Sequence, residues 1–402
     1  MEKKSSRIGS IKGSLPTLRV GMCTTDNRDH WRKYHLPEPV FGPAIAAVLE
    51  GLSAFPGEVE IHVISITQKP LSAPPQLATN IFYHSLVVPK LGWLRTAYQG
   101  CIRAVRSKVK ALHLDLVHGE GTERDCALEA VFSGRPNLLT LHGNMRGVAR
   151  ATHARPFSYY WFQSWLEVWA LRRTRLVFCN SSYTEDWVRP LNHNVRRLPN
   201  AVRKSFFLDY HPPRAALGEG LRFLVIGLIS PYKQPLEILR MLHQWRMRGA
   251  PAFSCLWVGL FSGDKNYTKR FSQEMASAEA AGWARYQPAM NEDELREAMD
   301  GSDVLLHIPK EEAFGLVVAE AMLRGMHIVA GKTGGIADFH EIYPGIQLVS
   351  PNSPEDWMSA LSGLGRNRPR RIPRESWVAT RFHPEEIARR HLEAYRTLVP
   401  AS

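Results

Sequence analysis

Two α/β domains, each built on a mainly parallel sheet, are what this sequence predicts, and three observations carry that expectation. The chain has 402 residues, too many for one ordinary core and suited to two domains of roughly 150–200 residues. Short apolar runs alternate with segments of helical pattern along most of it. The alternation pauses once, at Asp209-Tyr210-His211-Pro212-Pro213-Arg214 and Gly218-Glu219-Gly220, a Pro/Gly cluster that reads as a linker. Ligands of such sheets bind beyond the carboxyl ends of the strands, so a crevice between the two domains is the expected site.

In chain order, the apolar runs 18–23, 60–66, 80–88, 114–118, 137–141 and 176–180 are the strand candidates of the first half. Segments 43–54, 96–112 and 159–171 are its helices. The second half opens with a strand at 221–227, a helix at 235–248 and a strand at 254–259. That helix has Pro235 at its start and Gly249 just past its end, the usual asymmetry of helix termini. Its Leu236, Leu239, Leu242 and Trp245 make a core-facing stripe. Helices at 269–281 and 293–299 follow, then a strand at 303–308, and 384–398 is again helical in pattern. Ser182-Tyr183-Thr184-Glu185 fits a capping box with Ser182 as the cap.

Hydrophobic content of 44% and charged content of 22% are those of a globular protein. The five cysteines are scattered, odd in number and form no CxxC, which argues against disulfide or metal roles and for a reducing compartment. The polar N-terminus runs into no apolar segment, and no stretch reaches the roughly 18 apolar residues of a membrane span; a cytoplasmic protein is expected. The net charge of +13 favours polyanionic ligands: phosphates, anionic lipid or nucleic acid.

The most informative stretch is Lys310-Glu311-Glu312-Ala313-Phe314-Gly315-Leu316-Val317-Val318-Ala319-Glu320-Ala321-Met322. It reads as an acidic loop after a strand, then a helix beginning near Phe314. Unpaired N–H groups and the positive dipole end at a helix start suit a phosphate, and Gly315 permits close backbone approach. Glu312 and Glu320 are acceptors for hydroxyls such as those of sugars and riboses. The spacing Glu, seven residues, Glu, with Phe-Gly after the first, then Glu320-Ala321-Met322, Gly325 and Gly334-Gly335, resembles the retaining glycosyltransferases of the GT-B fold, in particular glycosyltransferase family 4. The resemblance covers roughly residues 17 to 398.

That resemblance implies two Rossmann-like domains facing an interdomain cleft. Residues 1–16 would be a disordered tail, 17–209 the acceptor domain, 210–220 the linker, 221–380 the nucleotide-sugar domain, and 381–402 a helix returning to the first domain. It implies a retaining glycosyltransferase moving a sugar from a UDP- or GDP-sugar to a hydroxyl of a glycan, lipid-linked or small-molecule acceptor. Glu320 would hold the ribose hydroxyls and Glu312 the donor sugar. Lys233, in Gly227-Leu228-Ile229-Ser230-Pro231-Tyr232-Lys233, would meet the diphosphate with Gly227 and the N–H groups around Phe314, Gly315 and Leu316. His142, in the strand-ending His142-Gly143, would sit beside the transferring sugar. Gly42, His118 and Glu120 are the acceptor-side candidates. Catalysis would rest on His142, Lys233 and Glu312.

Two departures from the family pattern matter. Leu228 stands where an arginine usually helps hold the diphosphate, and Arg324 and Lys332 are the replacement candidates by proximity in sequence. Pro288, in Gln287-Pro288-Ala289, replaces the usual glycine of the base-contacting region. Leu198-Pro199-Asn200-Ala201-Val202 resembles the family's turn before the linker, in a structural role. No Asp-x-Asp pair exists in the chain, so a site without metal or other cofactor is expected. The missing arginine keeps open a second reading, a non-catalytic GT-B protein binding a sugar nucleotide or polyanion.

Trp161, Trp165 and Trp169 recur on one helical face and read first as core. The basic helix bearing Arg103, Arg106, Lys108 and Lys110 reads first as a solvated face. The second reading of both is peripheral contact with an anionic membrane. Arg366 to Arg374 reads as a basic loop, and with no recognised nucleic-acid module, nucleic acid is not an expected partner.

Overall fold

The computed structural model describes residues 16–210, 220–366 and 369–399. The expected tail and linker therefore lie outside the described residues, apart from Pro16, Tyr210 and Gly220. Among the described residues two sheets form. The first contains β1 (Leu18–Cys23), β2 (Val59–Thr67), β3 (Gln76–Ala78), β4 (Ile81–Val87), β5 (Leu116–Glu120), β6 (Asn137–Leu141), β7 (Leu176–Cys179) and β8 (Val195–Arg197), in the order β3-β4-β2-β1-β5-β6-β7-β8. The second contains β9 (Leu221–Ile226), β10 (Phe253–Val258), β11 (Ala284–Gln287), β12 (Val304–His307), β13 (His327–Gly331) and β14 (Ile346–Val349), in the order β11-β10-β9-β12-β13-β14. Every pairing is parallel except β3 with β4.

The central strands are buried on both faces, and for that reason their sequences are continuously apolar rather than alternating. One apolar layer of the first sheet gathers Val20, Leu52, Ile61 and Leu138; the opposite layer gathers Ile64, Val105, Leu114 and Leu139. The helix Pro235–Met247 buries Leu236, Leu239, Leu242 and Trp245 against the second sheet. The five cysteines are buried and unpaired.

The last helix, Pro384–Leu398, belongs to the first sheet's core although it follows the second sheet in sequence. Ile387, Ala388, Leu392 and Tyr395 are buried there beside Leu52 and Leu116. Gly51 is needed for that docking, because a Cβ at this position would drive into the carbonyl oxygen of Pro384. The preceding helix, Ser376–Phe382, packs Val378 and Phe382 into the second domain's core, so the chain crosses between domains within one residue.

Several elements depart from the sequence reading. The capping box is shifted by one: Ser181 is the cap and Thr184 its partner, because a Ser181 hydroxyl already faces the Thr184 N–H at 3.2 Å. The edge strands β3, β8, β11 and β14, three or four residues each, are too short to stand out. The tryptophan stripe is not core: Trp165 is 64% exposed and Trp161 and Trp169 are half-buried. Arg371, read as part of a basic loop, is held inside by the carbonyl oxygens of Asp300 and Ser302, both at 2.7 Å.

Candidate active site in the interdomain crevice

Both sheets reverse their strand order once, between β1 and β5 and between β9 and β12. Loops leaving the carboxyl ends of neighbouring strands diverge at such points, and a crevice opens there. The two crevices face each other across one cavity of about 370 Å³. Thr24, Thr25, Gly42, Glu120, Glu123 and His142 line it from the first domain, and Glu312, Phe314, Gly315 and Leu316 from the second.

On the second-domain side the chain leaves β12 through an acidic turn and enters the helix Leu316–Leu323. Gly315 caps that helix with φ of 90°, a left-handed conformation that glycine adopts without strain. The helix therefore starts two residues later than the sequence pattern suggests, and its start, Gly315 and Leu316, lines the cavity, where the first N–H groups of a helix have no partner within it. Gly334 lets the following turn pack beneath this loop: a side chain there would collide with the Glu312 carbonyl oxygen. Glu312 accepts from Lys233 Nζ at 2.5 Å and from His307 Nε2 at 3.0 Å. Burial opposes its ionisation, but Lys233 and His307 outweigh burial and hold its carboxyl well below the usual range. Burial likewise pulls on the Lys233 ammonium, and Glu312 lifts it above its ordinary value. Both members of the pair are thus charged at neutral pH.

Glu320 lies one turn further along the helix, and it is 5% exposed. Burial pushes its carboxyl up to about 7, Arg203 pulls it down and Glu292 pushes it up. Arg203 itself is ion-paired with Glu292 at 2.6 Å.

On the first-domain side, His142 Nε2 and Glu120 Oε2 are 2.7 Å apart. Burial pushes the Glu120 carboxyl up, but His118 and His142 outweigh it and bring it down to about 2. Burial pulls the His142 imidazole down, and Glu120 outweighs burial and raises it. The domains are tied around the cavity by Ser181 Oγ donating to the Ala313 carbonyl at 2.6 Å, the Ser182 N–H donating to Asp338 at 2.7 Å, and the Tyr183 hydroxyl donating to Glu311 at 2.7 Å.

The structure thus brings Gly42, Glu120, His142, Glu312, Phe314, Gly315 and Leu316 to one cavity, with Lys233 reaching it through Glu312. Gly227 ends β9 with its N–H on the Val258 carbonyl, and open space lies where its side chain would be. His118 corrects an expectation. It is fully buried beneath the crevice, with Nε2 2.7 Å from the Thr140 hydroxyl and Nδ1 2.8 Å from the Tyr395 hydroxyl, so it cannot touch an acceptor. Arg324 does not replace the missing arginine: it is 3% exposed and bonded to Asp300 at 2.7 Å and 2.8 Å. Thr24, Thr25 and Asn27 line the cavity without any sequence signal, and Asn200, from the turn expected to be structural, lines it as well. His307 was detectable only as a histidine at the end of a strand.

Comparison with known proteins agrees with this geometry. The model described as Glycosyl transferases group 1 matches residues 210–374 and that described as Glycosyltransferase Family 4 matches residues 46–206. Among curated relatives, D-inositol 3-phosphate glycosyltransferase 2 of Catenulispora acidiphila is 26% identical over 215 residues, 49% of this chain and 48% of the relative. The D-inositol 3-phosphate glycosyltransferase of Rhodococcus opacus is 28% identical over 237 residues, 55% of this chain and 53% of the relative. The chain spans about half the length of the curated relatives it matches. Among solved structures, Anabaena HepE in complex with UDP superposes with a TM-score of 0.69 at 15% identity, covering 95% of this chain and 100% of HepE. Sucrose-phosphate synthase from Thermosynechococcus elongatus gives 0.68 at 14% identity, covering 95% and 96%. These structures share the two-domain fold. With a glycosyltransferase family model on each domain and the sequence signature in register at the crevice, the chain belongs to glycosyltransferase family 4 and has the GT-B fold.

Proposed function

We propose that this protein transfers a sugar from a UDP- or GDP-sugar to a hydroxyl of a glycan, lipid-linked or small-molecule acceptor, with retention at the anomeric carbon and without a metal ion. The observation that carries the reading is the convergence of the Lys233–Glu312 pair and the amide-rich start of the helix Leu316–Leu323 on one interdomain cavity that His142 and Glu120 also line.

The donor's diphosphate would take the place at Gly315 and Leu316, where N–H groups and a helix dipole favour negative charge. Lys233 would turn from Glu312 to a phosphate oxygen, and Glu312, released but still ionised, would accept hydrogen bonds from the sugar hydroxyls. Glu320 would accept from the ribose hydroxyls. As the bond between the anomeric carbon and the phosphate oxygen breaks, the electron pair leaves with the diphosphate, and Lys233 and the amides stabilise the charge that develops. The acceptor hydroxyl attacks from the same face and passes its proton to the departing phosphate oxygen. His142, held by Glu120, would support the sugar and the attacking hydroxyl. The cation and helix terminus supply charge neutralisation that other sites draw from a divalent ion.

The HepE complexes hold UDP and UDP-glucose, which supports a uridine donor as the first to test. The relatives' name makes an inositol phosphate the first acceptor to test. Leu228, 37% exposed where the family carries arginine, favours the second reading, a sugar-nucleotide binder without turnover. Calorimetry with UDP- and GDP-sugars beside a transfer assay separates the two, since binding without turnover supports the second. Peripheral contact with an anionic membrane on the inner face of the cytoplasmic membrane belongs to the reading as well. It is supported by a groove of about 620 Å³ lined by Arg146, Arg150, Arg172, Trp161 and Trp165. No described helix is long and apolar enough to cross a membrane.

A further inference from the structure

Behind His142, where the returning helix Pro384–Leu398 meets β5, three side chains converge in the protein interior. They are His118, Glu120 and His391, all buried, with their ligating atoms within 4.8 Å of one another. Two polar atoms of these side chains have no hydrogen-bond partner: Glu120 Oε1 and His391 Nε2. His391 Nδ1 lies 2.8 Å from the Ile387 carbonyl oxygen, which can only accept, so the ring proton is on Nδ1 and Nε2 presents a lone pair. Glu120 spends Oε2 on His142 at 2.7 Å, which leaves the lone pairs of Oε1 unused. His118 Nε2 is 3.4 Å from Glu120 Oε1, and the Tyr395 hydroxyl beside Nδ1 at 2.8 Å can hold the ring in the tautomer that frees Nε2.

Buried lone pairs with no donor beside them are costly unless a positive group stands between them. Two imidazoles and one carboxylate make a donor set suited to Zn²⁺. Each ligand also has the outer partner such sites need: Ile387 carbonyl for His391, Tyr395 hydroxyl for His118, and the His142 ring for Glu120.

We propose that His118 Nε2, Glu120 Oε1 and His391 Nε2 form a structural site for a divalent transition-metal ion, Zn²⁺ by its donor set, that staples the returning helix to β5. His118 would exchange the Thr140 hydroxyl for the ion. The site is separate from the donor diphosphate and does not depend on the proposed transfer reaction. It would connect positions 120 and 391 and hold Glu120 behind His142, so that the wall of the crevice depends on the docking of the C-terminal helix.

The test uses the full chain, stripped with chelator and dialysed against defined Zn²⁺. Elemental analysis should find one tightly held equivalent per chain, the unfolding temperature should rise with Zn²⁺, and both responses should be lost in His391→Leu. Because that variant could fail to fold, His391→Gln and the visible spectrum of the Co²⁺-loaded wild type provide a second arm. An absorption typical of a four- or five-coordinate nitrogen and oxygen site, absent in the variant, supports the proposal. Wild-type protein without a stoichiometric equivalent would overturn it, as an ordered water filling the gap predicts. Equal uptake by wild type and both His391 variants would also overturn it, since the binding would then belong to surface histidines.

Discussion

Replacing Glu320 by glutamine should make the protein more stable and a poorer binder of its donor at once. The carboxyl is 5% exposed, and burial raises it from an ordinary 4.5 to about 7. A group whose folded-state value lies above its unfolded one binds more protons folded than unfolded between the two values. Stability therefore falls as pH rises through that window. Below 4.5 the carboxyl is neutral in both states and the penalty is absent; above about 7 it is fully developed. At about 1.4 kcal/mol per unit the buried carboxylate costs about 3 kcal/mol at pH 8. Glutamine removes this charge and keeps the shape, so unfolding scans at pH 8 should show Tm higher by several degrees, at roughly 2–4 °C per kcal/mol for a domain of this size. At pH 4.5 the gain should vanish. The same variant should bind UDP- or GDP-sugar about 10- to 100-fold more weakly, because hydrogen bonds to a charged acceptor contribute about 1.5–3 kcal/mol. A Tm difference equal at pH 8 and 4.5 would refute the electrostatic argument. Unchanged donor affinity would refute the ribose role.

The remaining predictions concern the crevice and its supports. Lys233→Ala and Glu312→Ala should each lower turnover by orders of magnitude with the circular dichroism spectrum intact, and unchanged turnover in both would contradict their roles. Leu228→Arg should restore a phosphate partner at the end of β9 and tighten donor binding about tenfold or more by calorimetry; a neutral result would mean the arginine position does not face the diphosphate here. Gly51→Ala should lose about 1–3 kcal/mol in denaturant unfolding, because its Cβ meets the Pro384 carbonyl. Trp165→Ser with Arg150→Ser should reduce co-sedimentation with anionic liposomes at low salt, and equal pelleting of wild type and variant would remove the membrane contact from the reading.

How much of this was legible beforehand differed by residue. The helix at 159–171 and the strands at 18–23 and 137–141 were read with the bounds they have, because a long periodic segment or a doubly buried strand writes its environment into consecutive residues. The short edge strands did not, since one half-buried face leaves little pattern in three or four residues. The signature from Glu312 to Glu320 identified the family, because its glycine and carboxylates stand at set spacing in one continuous segment. Thr24, Thr25 and Asn27 carried no such mark, because polar residues in loops are common and only assembly brings these three to the cavity that His142 lines.

The tryptophan face shows the limit from the other direction. Spacing places Trp161, Trp165 and Trp169 on one side of a helix, but it does not say whether another element covers that side, and Trp165 remains open. His118 and Glu120 share a face of β5 by the same period-two rule, yet Tyr395 and His391, from a helix hundreds of positions later, bury one and leave the other at the crevice. Sequence alone determined what is local and periodic: two parallel-sheet domains, the glycine-led helix start, and the family. Tertiary structure alone decided what depends on long-range pairing: the cavity between the switch points, the Lys233–Glu312 charge pair, the raised Glu320, and the cluster behind His142. Local preferences act within a few residues along the chain, whereas burial and charge pairing depend on which distant segments the fold brings within a few ångströms.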